Sequence, residues 1–308
     1  MVSLVLKITC AATLEFESLR WVWHSNRKNR IVAETTAHTG PLERPLDGVE
    51  AAWQMARHWV AEIVEWFGAI GIFCWQVFRA AITPPFELRE LIHQMDEIGA
   101  KSLPLISLAG AATGVVLALQ THDSLVRFGA ISMLPTVIIF SLVRETGPVI
   151  TGLIASGRVG AGIGAELGSM KVTEQIDAME VSAVDPYKYL AATRVVACIL
   201  MQPLLTLAAD FCGVFFGWIA STLQNPISLQ YFIHSGMTEM GFNDFLPPTF
   251  KTAIFGFIIG AVSCFFGMNT RGGTEGVGRS ATRSVVVSSL FIVVADVALV
   301  RVIAVLFS

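Results

Sequence analysis

The chain has 308 residues, of which 54% are hydrophobic and 15% are charged, and its mean hydropathy is +0.64. Soluble domains carry about 25% charged residues, so this composition argues against a soluble enzyme and against disorder. The formal net charge of −3 leaves no basic excess for nucleic-acid binding. The sequence therefore predicts a membrane protein.

The first 101 residues differ from the rest of the chain. Residues 1–50 are polar and contain proline breakers, which predicts a poorly defined N-terminal extension, and residues 1–14 do not resemble a signal peptide. Residues 51–82 mix apolar side chains and tryptophans with charges, a pattern typical of a helix that lies in the membrane interface. Residues 86–101 are predicted to be a charged, amphipathic connector, so residues 51–101 form one interfacial region.

Five apolar stretches follow within residues 102–308. About 20 apolar residues are needed to cross a hydrocarbon core about 30 Å thick. The stretches that meet this requirement are 103–121, 131–154, 195–223, 250–270 and 284–307. We therefore expect an all-α, polytopic membrane protein with five transmembrane helices.

Lysine and arginine residues predict the orientation of these helices. They are concentrated in residues 1–101, 155–194 and 271–283, and the other connections hold almost none. The positive-inside rule places these three segments, including the N-terminus, in the cytoplasm. With five spans, the C-terminus then lies on the opposite side.

Small residues recur at helical spacing along the predicted spans. Such GxxxG pairs allow the backbones of two helices to approach closely. Packing within the chain is one interpretation, and a homodimer interface is the other. The pairs are Gly110/Gly114, Gly213/Gly217 and Gly256/Gly260, and Gly160, Gly164 and Gly168 extend the pattern.

Catalytic and metal-binding motifs are missing from the sequence. There is no GxxxxGK[ST] motif, and the glycine-rich residues 271–278 are interpreted as a flexible turn. The five cysteines form no CxxC pair, and the six histidines form no HExxH motif, so no metal site is predicted. His122-Asp123 is interpreted as a solvated turn at the membrane edge.

Several charged residues lie inside the predicted spans. A charge in hydrocarbon costs several kcal/mol, so it normally faces a partner or a polar cavity. These charges therefore either form structural ion pairs or line a path for a lipid head group or an ion. They are Arg144, Glu145, Asp210, Lys251, Asp296 and Arg301.

The segment 155–194 is too polar to span a membrane and too apolar to be a disordered loop. Residues 173–180 are predicted to form a short helix with Thr173 as its N-cap and with acidic residues early. Asp185-Pro186 then breaks the chain. Such a helix is either an amphipathic connector or a docking element for a soluble motor protein.

A series of long motifs runs through the second half of the chain: RETGPV (144–149), ASGRVG (155–160), AELG (165–168), TEQIDAM (173–179), VDP (184–186) and SATRSVV (280–286), followed by Asp296. In these motifs the chain resembles the MlaE family, which are permeases of ABC transporters that move phospholipid and related lipids together with MCE proteins. The resemblance covers about residues 55–308. Residues 1–50 lie outside it, either as an extension or because Met55 is the true start.

The resemblance implies a homodimer in the bacterial inner membrane, with a cytoplasmic ABC ATPase, a periplasmic MCE protein and often a STAS-domain protein as partners. ATP and magnesium would be bound by the ATPase, and this chain would have no catalytic residue, cofactor or metal of its own. The implied role lies in outer-membrane lipid asymmetry. The implied ATPase-coupling helix is Glu174, Gln175, Ile176, Asp177, Ala178, Met179 and Glu180. The implied lipid pocket contains Leu117, Gln120, Leu125, Phe128 and Glu145.

Two other functions compete with the lipid permease. A secondary transporter or channel would use the intramembrane charges for ion coupling and would need no ATPase. A membrane scaffold would use the same charges for assembly only. The coupling-helix resemblance favours the permease.

Overall fold

The computed structural model describes residues 48–82, 87–238 and 241–307. The chain forms two units, residues 1–67 and residues 68–308. Residues 1–47 of the predicted polar extension, residues 1–50, lie outside the described residues, and residues 48–50 already belong to the first helix. All regular secondary structure in the described residues is helical, which confirms the all-α fold class.

The helices are numbered in chain order. They are α1 (Gly48–Ile82), α2 (Leu88–Met95), α3 (Leu103–Phe128), α4 (Leu134–Ser141), α5 (Gly147–Ala155), α6 (Ala161–Val172), α7 (Gln175–Val181), α8 (Thr193–Gln224), α9 (Leu229–Thr238), α10 (Phe242–Met268) and α11 (Gly273–Phe307). Four π-helical turns are also present in the described residues. Leu142–Thr146 and Ser156–Gly160 join neighbouring helices without a break, Asp96–Ala100 follows α2 directly, and Tyr187–Ala192 leads directly into α8.

Five continuous helical segments in the described residues are long and apolar enough to cross a membrane. This confirms the polytopic architecture and the number of spans. The segments are span one (Leu88–Phe128), span two (Ile131–Val172), span three (Tyr187–Gln224), span four (Asp244–Met268) and span five (Gly273–Val305). Helix α1 is not among them.

The spans are longer than the sequence predicted because polar residues continue the helices. Residues 155–194 are not one loop, since α6 carries span two to Val172 and span three already begins at Tyr187. The predicted connector 86–101 is mostly helix and belongs to span one. A prediction based on apolar runs ends each span at the first charged residues. The backbone hydrogen bonds of the helix continue past those residues.

Two predicted turns are also helical. Helix α11 begins at Gly273, so only Gly272 and Gly273, with φ of 96° and 68°, form the turn predicted for the glycine-rich segment. His122 and Asp123 lie within α3, and the His122 ring nitrogen Nε2 is 2.8 Å from the Asn225 amide. The prediction of a solvated turn there was therefore wrong.

Spans one and three pack along their small residues. A Cβ atom on Gly114 would overlap the backbone of Gly213, and one on Gly110 would overlap the backbone of Ala209. Gly217 lies against Gly114 in the same interface. These glycines therefore serve packing within the chain, as the first of the two interpretations expected.

The remaining small-residue positions also contact other spans of the same chain. A Cβ atom on Gly256 would overlap the Cys198 carbonyl in span three, and Gly164 faces Ser284 of span five. The homodimer interface, if built as the resemblance implies, must therefore use other surfaces than these glycines.

Two hydrophobic clusters fill the space between the helices. The larger joins spans one to five with the second half of α1, through buried residues such as Phe73, Ile106 and Phe255. The smaller lies around Leu134, Ile138 and Phe232, where α9 covers the beginning of span two. Some of the polar side chains that interrupt the spans, such as Lys251 and Asp210, are consequently held in a close-packed interior.

Candidate functional site

A change of helix type in span two positions the first pair of intramembrane charges. The π-helical turn Leu142–Thr146 contains Arg144 and Glu145, and the Gly147 amide donates to the Leu142 carbonyl. Pro148 follows and supplies no amide proton, so the ordinary α-helical hydrogen-bonding pattern is interrupted here. Single π-turns inside α-helices occur frequently at functional sites.

Lys251 in span four is the centre of a charged cluster. Its side chain is 2% exposed, and its Nζ lies 2.9 Å from Asp296 Oδ1 in span five and 3.7 Å from Glu145 Oε2 in span two. One ammonium group thus joins three spans. The Asp296 carboxylate is 15% exposed and Glu145 is 44% exposed, so the cluster opens to the surface on the Glu145 side.

Arg144 extends the cluster toward the beginning of span four. Its guanidinium nitrogen lies 3.5 Å from Asp244 Oδ1, and its guanidinium carbon lies 5.1 Å from the centre of the Phe140 ring. Asp244 was not among the residues predicted from the sequence. The connection that contains it has no lysine or arginine, so nothing in the local sequence indicated an ion pair there. Two cations and three carboxylates are therefore gathered where spans two, four and five meet.

The other two predicted intramembrane charges do not belong to this cluster. Asp210 is buried between spans, and a Cβ atom on Gly147 would overlap its carboxylate. It lines a cavity of about 10 Å³ together with Thr151, and Asp210 Oδ1 and the Thr151 hydroxyl have no hydrogen-bond partner in the described chain. Arg301 is exposed, five residues beyond Asp296, and Asp296 pairs with Lys251 instead.

Four of the predicted lipid-contacting residues lie on one side of α3. Leu117 and Leu125 are partly buried, Gln120 is exposed, and Phe128 is 83% exposed at the end of the helix. Glu145 lies in the charged cluster. None of the five lines the small cavity beside Asp210, so their joint role in a pocket stays a prediction.

Helix α7 contains six of the seven predicted ATPase-coupling residues, and Glu174 lies immediately before it. Ile176 is 2% exposed and Met179 packs against the same large cluster, so one side of α7 is anchored. Asp177 accepts a 2.5 Å hydrogen bond from Lys171 at the end of span two. Val181, which is 89% exposed, lies on the open side, whereas Glu180 follows Ile176 by one helical turn and lies on the same side as it.

The start of α7 differs from the prediction. The Thr173 hydroxyl donates to the Ser169 carbonyl and therefore belongs to the end of α6, not to an N-cap of α7. Glu174 occupies the position before α7 with φ of 59°, and no side chain caps the helix. The left-handed backbone at Glu174 reverses the chain so that α7 folds back on the spans.

Sequence analysis also missed an ion pair between the buried Arg194 and Glu166, whose side chain is 53% exposed. Arg194 near the start of span three is 2% exposed, and its Nη2 donates to Glu166 Oε1 at 2.6 Å. Its Nη1 donates to the Leu190 carbonyl at 3.1 Å. Both residues fell in the segment predicted to be a loop, where charges need no partner.

Comparisons with known proteins agree with this architecture. The sequence model of the family described as Permease MlaE matches residues 91–302. The chain belongs to the MlaE permease family. It is therefore a membrane permease, and the match contains both the charged cluster and α7.

Individual relatives cover most of this MlaE-family permease. A protein of Rickettsia typhi named as a probable ABC transporter permease is 38% identical over 229 residues, which are 74% of this chain and 88% of that protein. The intermembrane phospholipid transport system permease protein MlaE of Haemophilus influenzae is 32% identical over 252 residues, 76% of this chain and 92% of the relative. The chloroplastic protein Trigalactosyldiacylglycerol 1 of Arabidopsis thaliana is 33% identical over 232 residues, which are 75% of this chain and 66% of that protein.

Proposed function

We propose that this permease is the membrane subunit of an ABC transporter that moves phospholipid or a related lipid between the inner membrane and a periplasmic MCE protein. The family match over residues 91–302 carries the proposal. The Haemophilus relative, named for intermembrane phospholipid transport, covers the same region. A homodimer, an ATPase that binds ATP and magnesium, and a STAS-domain protein complete the proposed assembly.

The charged cluster would contact the lipid head group during transport. Lys251 already forms an ion pair with Asp296 at 2.9 Å. Arg144 is 39% exposed, and its ion pair with Asp244 is longer, at 3.5 Å. Arg144 is thus the more available cation for a phosphate, which a guanidinium binds in a bidentate manner. Glu145 would exchange between Lys251 and the head group, because it is the more exposed of the two carboxylates on Lys251.

The lipid tails require an apolar wall with few charges. The exposed side of α3, which includes Phe128, and the exposed valines of span five offer such a wall. We expect Leu117, Gln120 and Leu125 to line it when two copies of the chain face each other. The apolar surface alone holds the tails, and the cluster orients the head group.

Helix α7 would connect the ATPase to the spans. Its open side, with Gln175 and Ala178, would contact the ATPase, and its buried Ile176 would transmit the movement to the large hydrophobic cluster. The distribution of lysine and arginine predicts that α7 and the N-terminus lie in the cytoplasm. Closure of the ATPase dimer on ATP would then narrow the space between the two permeases.

The test is co-purification followed by lipid transfer. The tagged chain is extracted in mild detergent with its genomic neighbours co-expressed, and bound proteins and lipids are identified by mass spectrometry. We expect an ATPase, an MCE protein and phospholipid, and we expect ATP-dependent lipid transfer in proteoliposomes. Reversing the charges at Glu174 and Asp177, which are both exposed, should release the ATPase while the permease keeps its fold.

Other outcomes separate the competing functions. Transport by the chain alone in proteoliposomes, driven by an ion gradient, would contradict the ABC mechanism and support a secondary transporter. A stable assembly whose lipid transfer is unaffected by Arg144→Ala and Glu145→Ala would contradict the role of the cluster.

A further inference from the structure

A second, larger cavity lies next to α7 and outside the charged cluster. Its volume is about 270 Å³, and it is enclosed by the ends of spans two and four, by α7 and by the second half of α1. Its walls include Lys171, Ile176, Glu180 and Arg271. None of the residues of the charged cluster lines it.

The charges that line this cavity are incompletely paired. Lys171 is bonded to Asp177 at 2.5 Å, which neutralises both. Arg271 and Glu180 have no ion-pair partner within 4.0 Å among residues 48–82, 87–238 and 241–307, and they do not pair with each other. The cavity therefore presents one available cation and one available anion, separated by more than the length of an ion pair.

The helix that closes the cavity on one side carries aromatic residues typical of the membrane–water interface. Phe73 lines the cavity and packs on Tyr187 and Phe265, with ring centres 5.9 and 5.7 Å apart. On the other side of α1, Trp75 and Phe78 are 67% and 57% exposed. Exposed aromatic residues beside charged ones are the pattern of an interfacial anchor.

We propose that this cavity binds the head group of a zwitterionic phospholipid from the adjacent leaflet. Arg271 would bind the phosphate, and Glu180 would bind the ammonium group of an ethanolamine. Arginine suits phosphate because its guanidinium donates two parallel hydrogen bonds. An anionic lipid without an ammonium group fits less well, since Glu180 would face it without a partner.

The size of the cavity agrees with a head group and not with a whole lipid. The volume of about 270 Å³ lies just below the roughly 300–1,000 Å³ of pockets for drug-sized ligands, so the cavity has room for a head group but not for two acyl chains as well. The acyl chains would lie outside the cavity, in the adjacent leaflet.

The bound head group would stabilise the docked position of α7. Glu180 and Ile176, both on α7, line the cavity, so a lipid bridging Glu180 and Arg271 ties α7 to the end of span four. In the orientation of the proposed function this is the cytoplasmic leaflet, and that assignment of the leaflet rests on the proposed function. The coupling element of the permease would thus respond to the lipid composition around it.

The experiment measures lipid binding to the purified full-length chain, without ATP and without an ATPase. The protein is incubated with equal amounts of phosphatidylethanolamine and phosphatidylglycerol, and bound lipids are counted by native mass spectrometry. Arg271→Gln and Glu180→Gln are the test variants. Arg279→Gln and Glu275→Gln are matched controls, because these two residues form an exposed ion pair that does not line the cavity.

We expect each test variant to lose one phosphatidylethanolamine per chain, with roughly tenfold weaker binding, since a hydrogen bond to a charged group is lost. Glu180→Gln should also remove the preference over phosphatidylglycerol. The controls should bind as the wild type does. Because transport is not measured, failure of the proposed function leaves these expectations unchanged.

Two results would overturn the inference. Equal binding of phosphatidylethanolamine in the wild type and both test variants would show that the cavity holds no head group. Unchanged lipid binding in the test variants, together with loss of the ATPase when the same variants are carried through the co-purification of the proposed function, would show that the cavity receives a protein partner instead.

Discussion

The middle of the spans and the end around α7 both contain lysine–carboxylate pairs, but in different surroundings. Lys251 is 2% exposed between Asp296 and Glu145, whereas Lys171, paired with Asp177, is 32% exposed. A charge buried among apolar helices is costly when its partner is removed, while an exposed pair contributes little. A lysine–carboxylate ion pair therefore holds three spans together in the middle of the membrane segments. The same kind of pair contributes only weakly to the position of α7.

The largest expected effect comes from removing the central ammonium group. Lys251→Ala leaves Asp296 and Glu145 without their cation, and we expect a loss of about 3–5 kcal/mol of stability. Thermal unfolding in detergent measures this, and lipid transfer should be lost with it. Arg301→Ala, an exposed charge in span five, is the control and should change stability by less than about 0.5 kcal/mol. Equal unfolding temperatures for the two variants would contradict a central role of Lys251.

The anchoring of α7 should be the next most sensitive feature. Ile176→Ala removes a side chain that is 2% exposed, and we expect a loss of about 2–5 kcal/mol in the local stability of α7. Hydrogen–deuterium exchange should show faster exchange in α7 and unchanged exchange in spans one and three. Val181→Ala, at a position 89% exposed, should leave exchange as it is. Exchange that rises equally throughout the chain would show that α7 is not a separate unit.

A smaller effect is expected where spans one and three approach each other. Gly114→Ala places a Cβ atom against the backbone of Gly213, which cannot move aside as a side chain would, and we expect a loss of about 1–3 kcal/mol. Gly162→Ala in α6 is the control, because nothing lies within 4 Å of its Cβ position. That variant should gain up to about 1 kcal/mol through helix propensity. If both changes stabilise the protein, the close approach of the two spans is not as described.

The smallest effect is expected at the exposed pair. Asp177→Asn removes the partner of Lys171 and should cost less than about 1 kcal/mol at low salt. A double-mutant cycle with Lys171→Met isolates the interaction energy. At 1 M salt this energy should disappear, because charges are screened over about 3 Å. An interaction energy of several kcal/mol that persists at high salt would make this exposed pair as strong as the buried cluster around Lys251. The difference between the two regions would then be contradicted.

Residues at the ends of the spans show why sequence analysis did not predict all of the ion pairs. The buried Arg194 forms an ion pair with Glu166 at 2.6 Å, yet each residue alone looks like a loop charge in the sequence. Asp244 contacts Arg144 from 100 positions along the chain, in a segment without any lysine or arginine. Such pairs depend on which helices become neighbours, and hydropathy carries no information about that.

The sequence by itself determined that the chain is all-α with five spans, since runs of apolar residues can satisfy their backbone in a membrane only as helices. It also determined the family, because the motifs from RETGPV to SATRSVV are long and contiguous. Only the tertiary structure decided that Lys251 joins Glu145 and Asp296, and that the small residues serve contacts within the chain. These outcomes depend on distances between helices, which packing sets and which no local pattern records.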